Sequence, residues 1–211
     1  METIIKQLHW RYAVKKYDST KKLAMEQVQL LKDVIQLAPS SFGLQPFGVV
    51  FVEDPKTREK LRQASFNQSQ ITDASALVVF AIENRIDEAY IDEYFVRLCQ
   101  VRKLPLEGGL QKHRDSIVAS VLRNGPDELR AWSTHQAYLT LGFMLFAAAE
   151  LGIDANPMEG FNAAGYDEIL GLQELGLSAV VIAAIGYRHP EDFFQRQLKV
   201  RKGADQLFIQ R

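Results

Sequence analysis

The chain has 211 residues, of which 47% are hydrophobic and 24% charged, with a formal net charge of −1. That length supports one large domain with its own core, and the composition excludes an intrinsically disordered chain. The near-neutral balance lacks the basic excess of a nucleic-acid binder, and the single cysteine, Cys99, excludes an intrachain disulfide or a cysteine-based zinc site.

Taken in order, Met1–Lys6 lacks the long apolar core of a signal peptide, and a soluble, cytoplasmic protein is expected. Arg11–Asp18 is a basic and aromatic stretch. Glu26–Ala38 reads as a helix, because Val28, Leu31, Val34, Ile35 and Ala38 recur at helical spacing and Pro39 ends the run. Ser40, Ser41 and the Gln45-Pro46 turn then lead into a buried strand at Gly48–Val52. Pro55 opens a helix reaching Ala64.

The β-branched run Ala76–Ile82 predicts a strand buried on both faces. Glu88–Val101 predicts an amphipathic helix with Cys99 as a buried small hydrophobe. Leu104–Gly109 predicts a loop, and Lys112–Leu122 another helix ended by Asn124-Gly125. Pro126–Leu151 is the strongest helical pattern, stopped by Gly152. Its apolar residues surround most of the circumference after Gln136, which predicts a central buried helix. Its longest apolar stretch, Ala137–Ala149, is too short to span a membrane. Pro157–Phe161 reads as a terminating turn, Ala163–Leu170 as a short helix and Ser178–Ile185 as a third buried strand. The tail from Pro190 is polar and basic, with no assignable element.

Helices outnumber strands, which points to an α+β sandwich: a small mixed sheet covered by helices, in one domain over 1–211. An apolar helix that one small sheet cannot cover points further to a dimer.

Several chemistries are missing from the sequence. There is no G-x-G-x-x-G, no Walker lysine loop and no G-x-S-x-G elbow. His9, His113, His135 and His189 show neither metal-ligand nor triad spacing, and no metal is expected. A cofactor carrying its own reactivity suits this shortage. Arg11, Lys199 and Arg201 would suit a phosphate. Lys199 and Arg201 alternate as on one face of an extended segment, so two cations could grip one dianion. The hydroxyls and amide of Ser40–Gln45 would suit a polyol and a heteroaromatic ring, and together these groups describe a flavin mononucleotide pocket.

The ordered set of Arg11–Asp18, Ala38–Phe47, Pro157–Phe161 and Gly186–Arg201 resembles the flavin-dependent nitroreductase family over nearly the whole chain. Phe66-Asn67, Asp73–Ser75 and Gln136 add to the likeness, which is strongest to the oxygen-insensitive NAD(P)H nitroreductase and dihydropteridine reductase branch. The resemblance implies an intertwined homodimer with FMN at the subunit interface. It implies that Arg11, Lys199 and Arg201 clamp the phosphate and that Lys15 lies beside the pyrimidine end of the ring, favouring the anionic reduced flavin. It further implies that Ser40 and Ser41 reach the cofactor from the partner subunit, that Asn67 meets the ring edge and that Gln136 adds a polar contact. Gln45 belongs to the same loop.

By the same resemblance, Pro157, Met158, Glu159 and Gly160 are expected to form the loop behind the ring, with a backbone N–H at Glu159 facing flavin N5. No side chain is required as an acid or base. Tyr12 and Ala13 stand where relatives often carry His and Ser, Gln70 where some carry a ring-edge lysine, and Phe42 where a small polar residue is common near the substrate. The implied activity is ping-pong hydride transfer from NADH or NADPH to a nitroaromatic, quinone or similar planar acceptor. Dihydropteridine or enone reduction, or non-catalytic flavin binding, are the alternatives.

Overall fold

The computed structural model describes residues 2–211. Helix α1 (Glu2–Trp10) is followed by α2 (Met25–Leu37), strand β1 (Phe47–Val52), α3 (Pro55–Gln63), the single turn α4 (Gln70–Asp73) and β2 (Ala76–Glu83). Then come α5 (Glu88–Arg102), α6 (Gly108–Leu122), the long α7 (Pro126–Glu150), β3 (Asp154–Met158), α8 (Ala163–Leu170), β4 (Leu177–Gly186) and a last turn, α9 (Ala204–Leu207). The strands form one sheet in the order β1-β2-β4-β3.

Strand alternation builds the two layers. On β2 the even positions Ala76, Val78, Phe80 and Ile82 pack with Leu31 and Ile35 of α2 and Ala137, Leu141, Met144 and Ala148 of α7. The odd positions Leu77, Val79 and Ala81 pack with Leu61 of α3 and Tyr166 of α8. This is the two-residue period of a strand covered on both faces. A bulge keeps β4 in step: Phe80 pairs with Val181 but Ala81 with Ala179, so Val180 is the extra residue. A third cluster, Leu44, Ile91, Phe95, Ile117 and Val121, joins the α5–α6 hairpin to Leu129 and Trp132 of α7.

Side-chain oxygens close the starts of α3, α5 and α8. Asp54 accepts from Thr57 N at 2.8 Å, Asp87 from Tyr90 N at 3.0 Å and Asn162 from Gly165 N at 3.1 Å.

Several expectations change. Every strand pairing in the sheet is antiparallel rather than mixed; among the described residues the one parallel contact is an isolated bridge between Ala13 and Ala155. The stretch ending at Met158 is a fourth strand, not a turn. Pro157 is compatible with it because β3 is an edge strand. Helix α1 has an apolar stripe that sequence reading passed over, and α6 starts at Gly108, inside the expected loop.

Helix α7 is central but not wholly buried. Leu139, Phe143 and Phe146 are 43%, 42% and 40% exposed, on the side away from the sheet. Cys99 is half-buried rather than buried. Among the described residues no helix is long and apolar enough to cross a membrane.

Candidate functional site

Three of the predicted cations converge. Arg11 directly follows α1, its N–H closing the helix on Gln7 O at 2.9 Å. The tail returns to the same place, with Lys199 Nζ donating to His9 O at 2.7 Å. Burial, then the charge of Arg201, lowers the Arg11 guanidinium below its ordinary value. Burial, then the charges of Arg11, Arg201 and Arg188, lowers the Lys199 ammonium.

Among the described residues, none of Arg11, Lys199 and Arg201 has a carboxylate within salt-bridge distance. Arg188 does: it pairs with buried Asp154 at 2.6 Å and lies over Trp10 and Tyr12, 4.1 and 4.5 Å from the ring centres. Like charges held together without a counter-ion repel. Such a corner is chemically matched to a multiply charged anion.

Next to it lies a second group. The bridge from Ala13 to Ala155 lays the Arg11–Lys15 segment along β3. Asp192 holds this segment from the other side, its carboxylate accepting from the N–H groups of Lys15 at 2.8 Å and Lys16 at 3.0 Å. The Asp192 carboxyl is buried, which raises its pKa. The N–H groups of Lys16, Lys15 and Phe194 outweigh burial and hold it below the ordinary value. Tyr12 is half-buried and its phenol is raised by burial. Lys15 Nζ reaches Asn156 Oδ1 at 3.4 Å.

Strand β3 then delivers Pro157, Met158, Glu159 and Gly160, and two side chains fix the loop after it. Tyr138 of α7 donates to Glu159 Oε1 at 2.6 Å, and Gln68 Nε2 donates to Gly160 O at 2.8 Å. Burial, then the bond to Glu159, pushes the Tyr138 phenol up to about 12. Asn67, exposed and at φ +57°, sits beside Gln68. Gln70 is buried at the start of α4.

The Ser40–Gln45 loop is elsewhere. It enters β1, at the opposite edge of the sheet from β3, about 14 Å away at the usual ~4.8 Å strand spacing. Gln136 of α7 accepts from Ser41 N at 2.8 Å and donates to Trp132 O at 3.2 Å, while Ser40 Oγ accepts from Gln45 N at 3.0 Å. Gln45 Nε2 donates to Gln36 O at 2.9 Å.

Within this chain Gln136 therefore clamps the serine loop and does not face the Glu159 corner. Gln136 and Tyr138 stand about 200° apart around the helix axis, so α7 separates the two halves. Phe42 is 43% exposed, at φ +57°, and Gln45 is at φ +48°. Left-handed backbone at non-glycine residues falls in both candidate loops, Phe42 and Gln45 in one, Phe66 and Asn67 in the other.

A cleft of about 690 Å³ lined by Lys22, Val28, Arg58 and Ser75 contains none of the predicted site residues. One of about 580 Å³ is bounded by Gln45, Phe47 and Tyr90.

Sequence reading missed Gln68, Tyr138, Asn156 and Asp192. None of the four carried a signal along the chain, because each acts through a partner distant in sequence.

A profile of the nitroreductase family matches residues 8–187. The oxygen-insensitive NAD(P)H nitroreductase of Enterobacter cloacae is 32% identical over 190 residues, covering 87% of this chain and 88% of its own. Among solved structures, the ydfN protein of Bacillus subtilis superposes with a TM-score of 0.88 at 22% identity, over 100% of both chains. An FMN complex from Exiguobacterium sibiricum superposes at 0.82 and 20% identity, over 100% of this chain and 96% of that one. The chain belongs to the nitroreductase family.

Proposed function

We propose that the protein is an FMN-dependent NAD(P)H oxidoreductase of the nitroreductase type, working as an intertwined homodimer. The observation that carries this reading is the uncompensated cation corner. Arg11, Lys199 and Arg201 meet from opposite ends of the chain with no carboxylate among the described residues to neutralise them. A phosphate monoester dianion fits that corner, and the adjacent donors of Lys15, Asn67 and the Glu159–Gly160 backbone fit the edge of a heteroaromatic ring. The donor set therefore suits FMN.

FMN, when bound, supplies the hydride carrier between a nicotinamide and an acceptor. The chain supplies position. Arg11, Lys199 and Arg201 hold the phosphate. Tyr138 and Gln68 pin the Glu159–Gly160 loop so that the Glu159 N–H presents a fixed donor at the ring.

Ser40, Ser41 and Gln45 serve the pocket of the partner subunit, since α7 stands between them and the Glu159 loop of their own chain. Phe42, on the same loop, rims the space where a planar substrate stacks. The dimer reading draws on two further features. The apolar stripe Leu139, Phe143 and Phe146 lies open on α7, and the tail residues Leu198 and Val200 are 93% and 88% exposed.

One stacking site used in turn by NAD(P)H and acceptor predicts parallel double-reciprocal lines with menadione or a nitroarene. The test is the absorption spectrum of purified protein under anaerobic conditions, before and after NADH or NADPH, with light scattering for subunit number. A yellow dimer bleached by the nicotinamide and recoloured by the acceptor supports the reading. A colourless protein that does not take up FMN refutes it.

A further inference from the structure

Asn156 lies in β3 with 0% of its surface exposed. Its neighbours along the strand are Ala155 and Pro157, so it is the one amide side chain in that stretch. Its Oδ1 is 3.4 Å from Lys15 Nζ. An ammonium can only donate, so the contact itself fixes the amide: oxygen toward Lys15, nitrogen away. That nitrogen, Nδ2, has no hydrogen-bond partner among the described residues. A buried donor without an acceptor destabilises a fold, and an apolar side chain of similar size would avoid the penalty. Asn156 is thus an expensive choice for packing alone.

What it does for Lys15 is specific. The nearby carboxylate of Asp192 is occupied by the backbone N–H groups of Lys15 and Lys16. No carboxylate lies within salt-bridge distance of Lys15 Nζ among the described residues. The lysine side chain is therefore anchored by a neutral oxygen. An amide orients an ammonium without cancelling its charge, whereas an aspartate at the same place would orient it and cancel it.

We infer that Asn156 is a positioning residue that holds Lys15 against the ring edge of the cofactor as an unneutralised charge, and so raises the reduction potential of the bound flavin. The inference rests on the FMN reading above and extends it to a residue outside the predicted site.

The experiment measures the midpoint potential of bound FMN by dye equilibration in the wild type, Asn156→Val, Asn156→Asp, Lys15→Met and the Asn156→Val/Lys15→Met double variant, with melting of each apoprotein. Asn156→Val frees Lys15, and the preference for reduced over oxidised flavin should fall about ten-fold, a shift of about −30 mV for a two-electron couple. Asn156→Asp should shift the potential further in the same direction, because it neutralises Lys15. Lys15→Met should lower the potential in the wild-type background and add little on top of Asn156→Val.

The Asn156→Val apoprotein should melt at or above the wild-type temperature, since the unpartnered amide is gone. An unshifted potential in Asn156→Val, an equal Lys15→Met shift in both backgrounds, or an apoprotein that melts well below wild type would each overturn the inference while leaving FMN binding intact. An Asn156→Val protein that does not fold would overturn it in the same way, because the amide would then be needed for packing. A wild-type protein that takes up no FMN would overturn the cofactor reading, and this inference with it.

Discussion

Replacing Arg11 by alanine separates a ligand-binding cation from a structural one. In the unliganded protein Arg11 has no carboxylate partner among the described residues, and its charge lowers the pKa of Lys199. Deleting it relieves repulsion, so the apoprotein should melt at or slightly above the wild-type temperature. In the complex the same change removes charge-assisted hydrogen bonds to phosphate. One such bond contributes about 1.5–3 kcal/mol, which weakens FMN binding by about 10- to 150-fold.

Arg201 is exposed where Arg11 is half-buried, so water screens it more, and Arg201→Ala should cost less, about 3- to 10-fold. The assay is titration of apoprotein by quenching of flavin fluorescence, at low and high salt, with riboflavin as the control ligand. Riboflavin has no phosphate, and its affinity should not respond to Arg11→Ala. Equal losses for FMN and riboflavin, unchanged FMN affinity, or a larger effect at Arg201 than at Arg11 would refute the clamp.

Tyr138→Phe removes the 2.6 Å bond to Glu159 and loosens the loop behind the ring. Hydride transfer measured by stopped flow should slow about 3- to 10-fold, with stability changed by no more than about 1.5 kcal/mol. Asp192 tests pH linkage. Its native pKa is below the unfolded value, so it contributes stability that is present above the unfolded pKa and lost as pH falls through the native one. Asp192→Asn should cost about 1–3 kcal/mol near neutral pH and nothing below the native pKa, read from denaturant unfolding across that range. Phe42→Asn places a residue that tolerates left-handed backbone at φ +57°. Stability should hold within about 1 kcal/mol while KM for planar acceptors rises, and an unchanged KM would remove Phe42 from the substrate rim.

Much of the fold was legible along the chain because each signal was local. Pro39, Pro55, Pro126 and Gly152 punctuate α2, α3 and α7 where the sequence placed them, within a residue or two. The run Ala76–Ile82 is a doubly covered strand because no position in it could face water. Strand β3 was hidden because Pro157 reads as a turn former, and only its place at the sheet edge removes the objection. The pattern of α7 showed that it would be apolar nearly all round. It could not show which stripe the sheet would leave open.

Side-chain chemistry does not depend on folding, so the residue types suited to a phosphate and a ring, and their order, could be read along the chain. Which of them meet was settled by the fold. Arg11 and Arg201 come together across nearly the full length of the chain because α1 and the tail return to one corner of the sheet. Ser41 and Glu159 are kept apart because α7 lies between them. The partners Asp192, Tyr138, Gln68 and Asn156 were equally beyond sequence reading, since a hydrogen bond between residues distant in sequence leaves no local spacing to read.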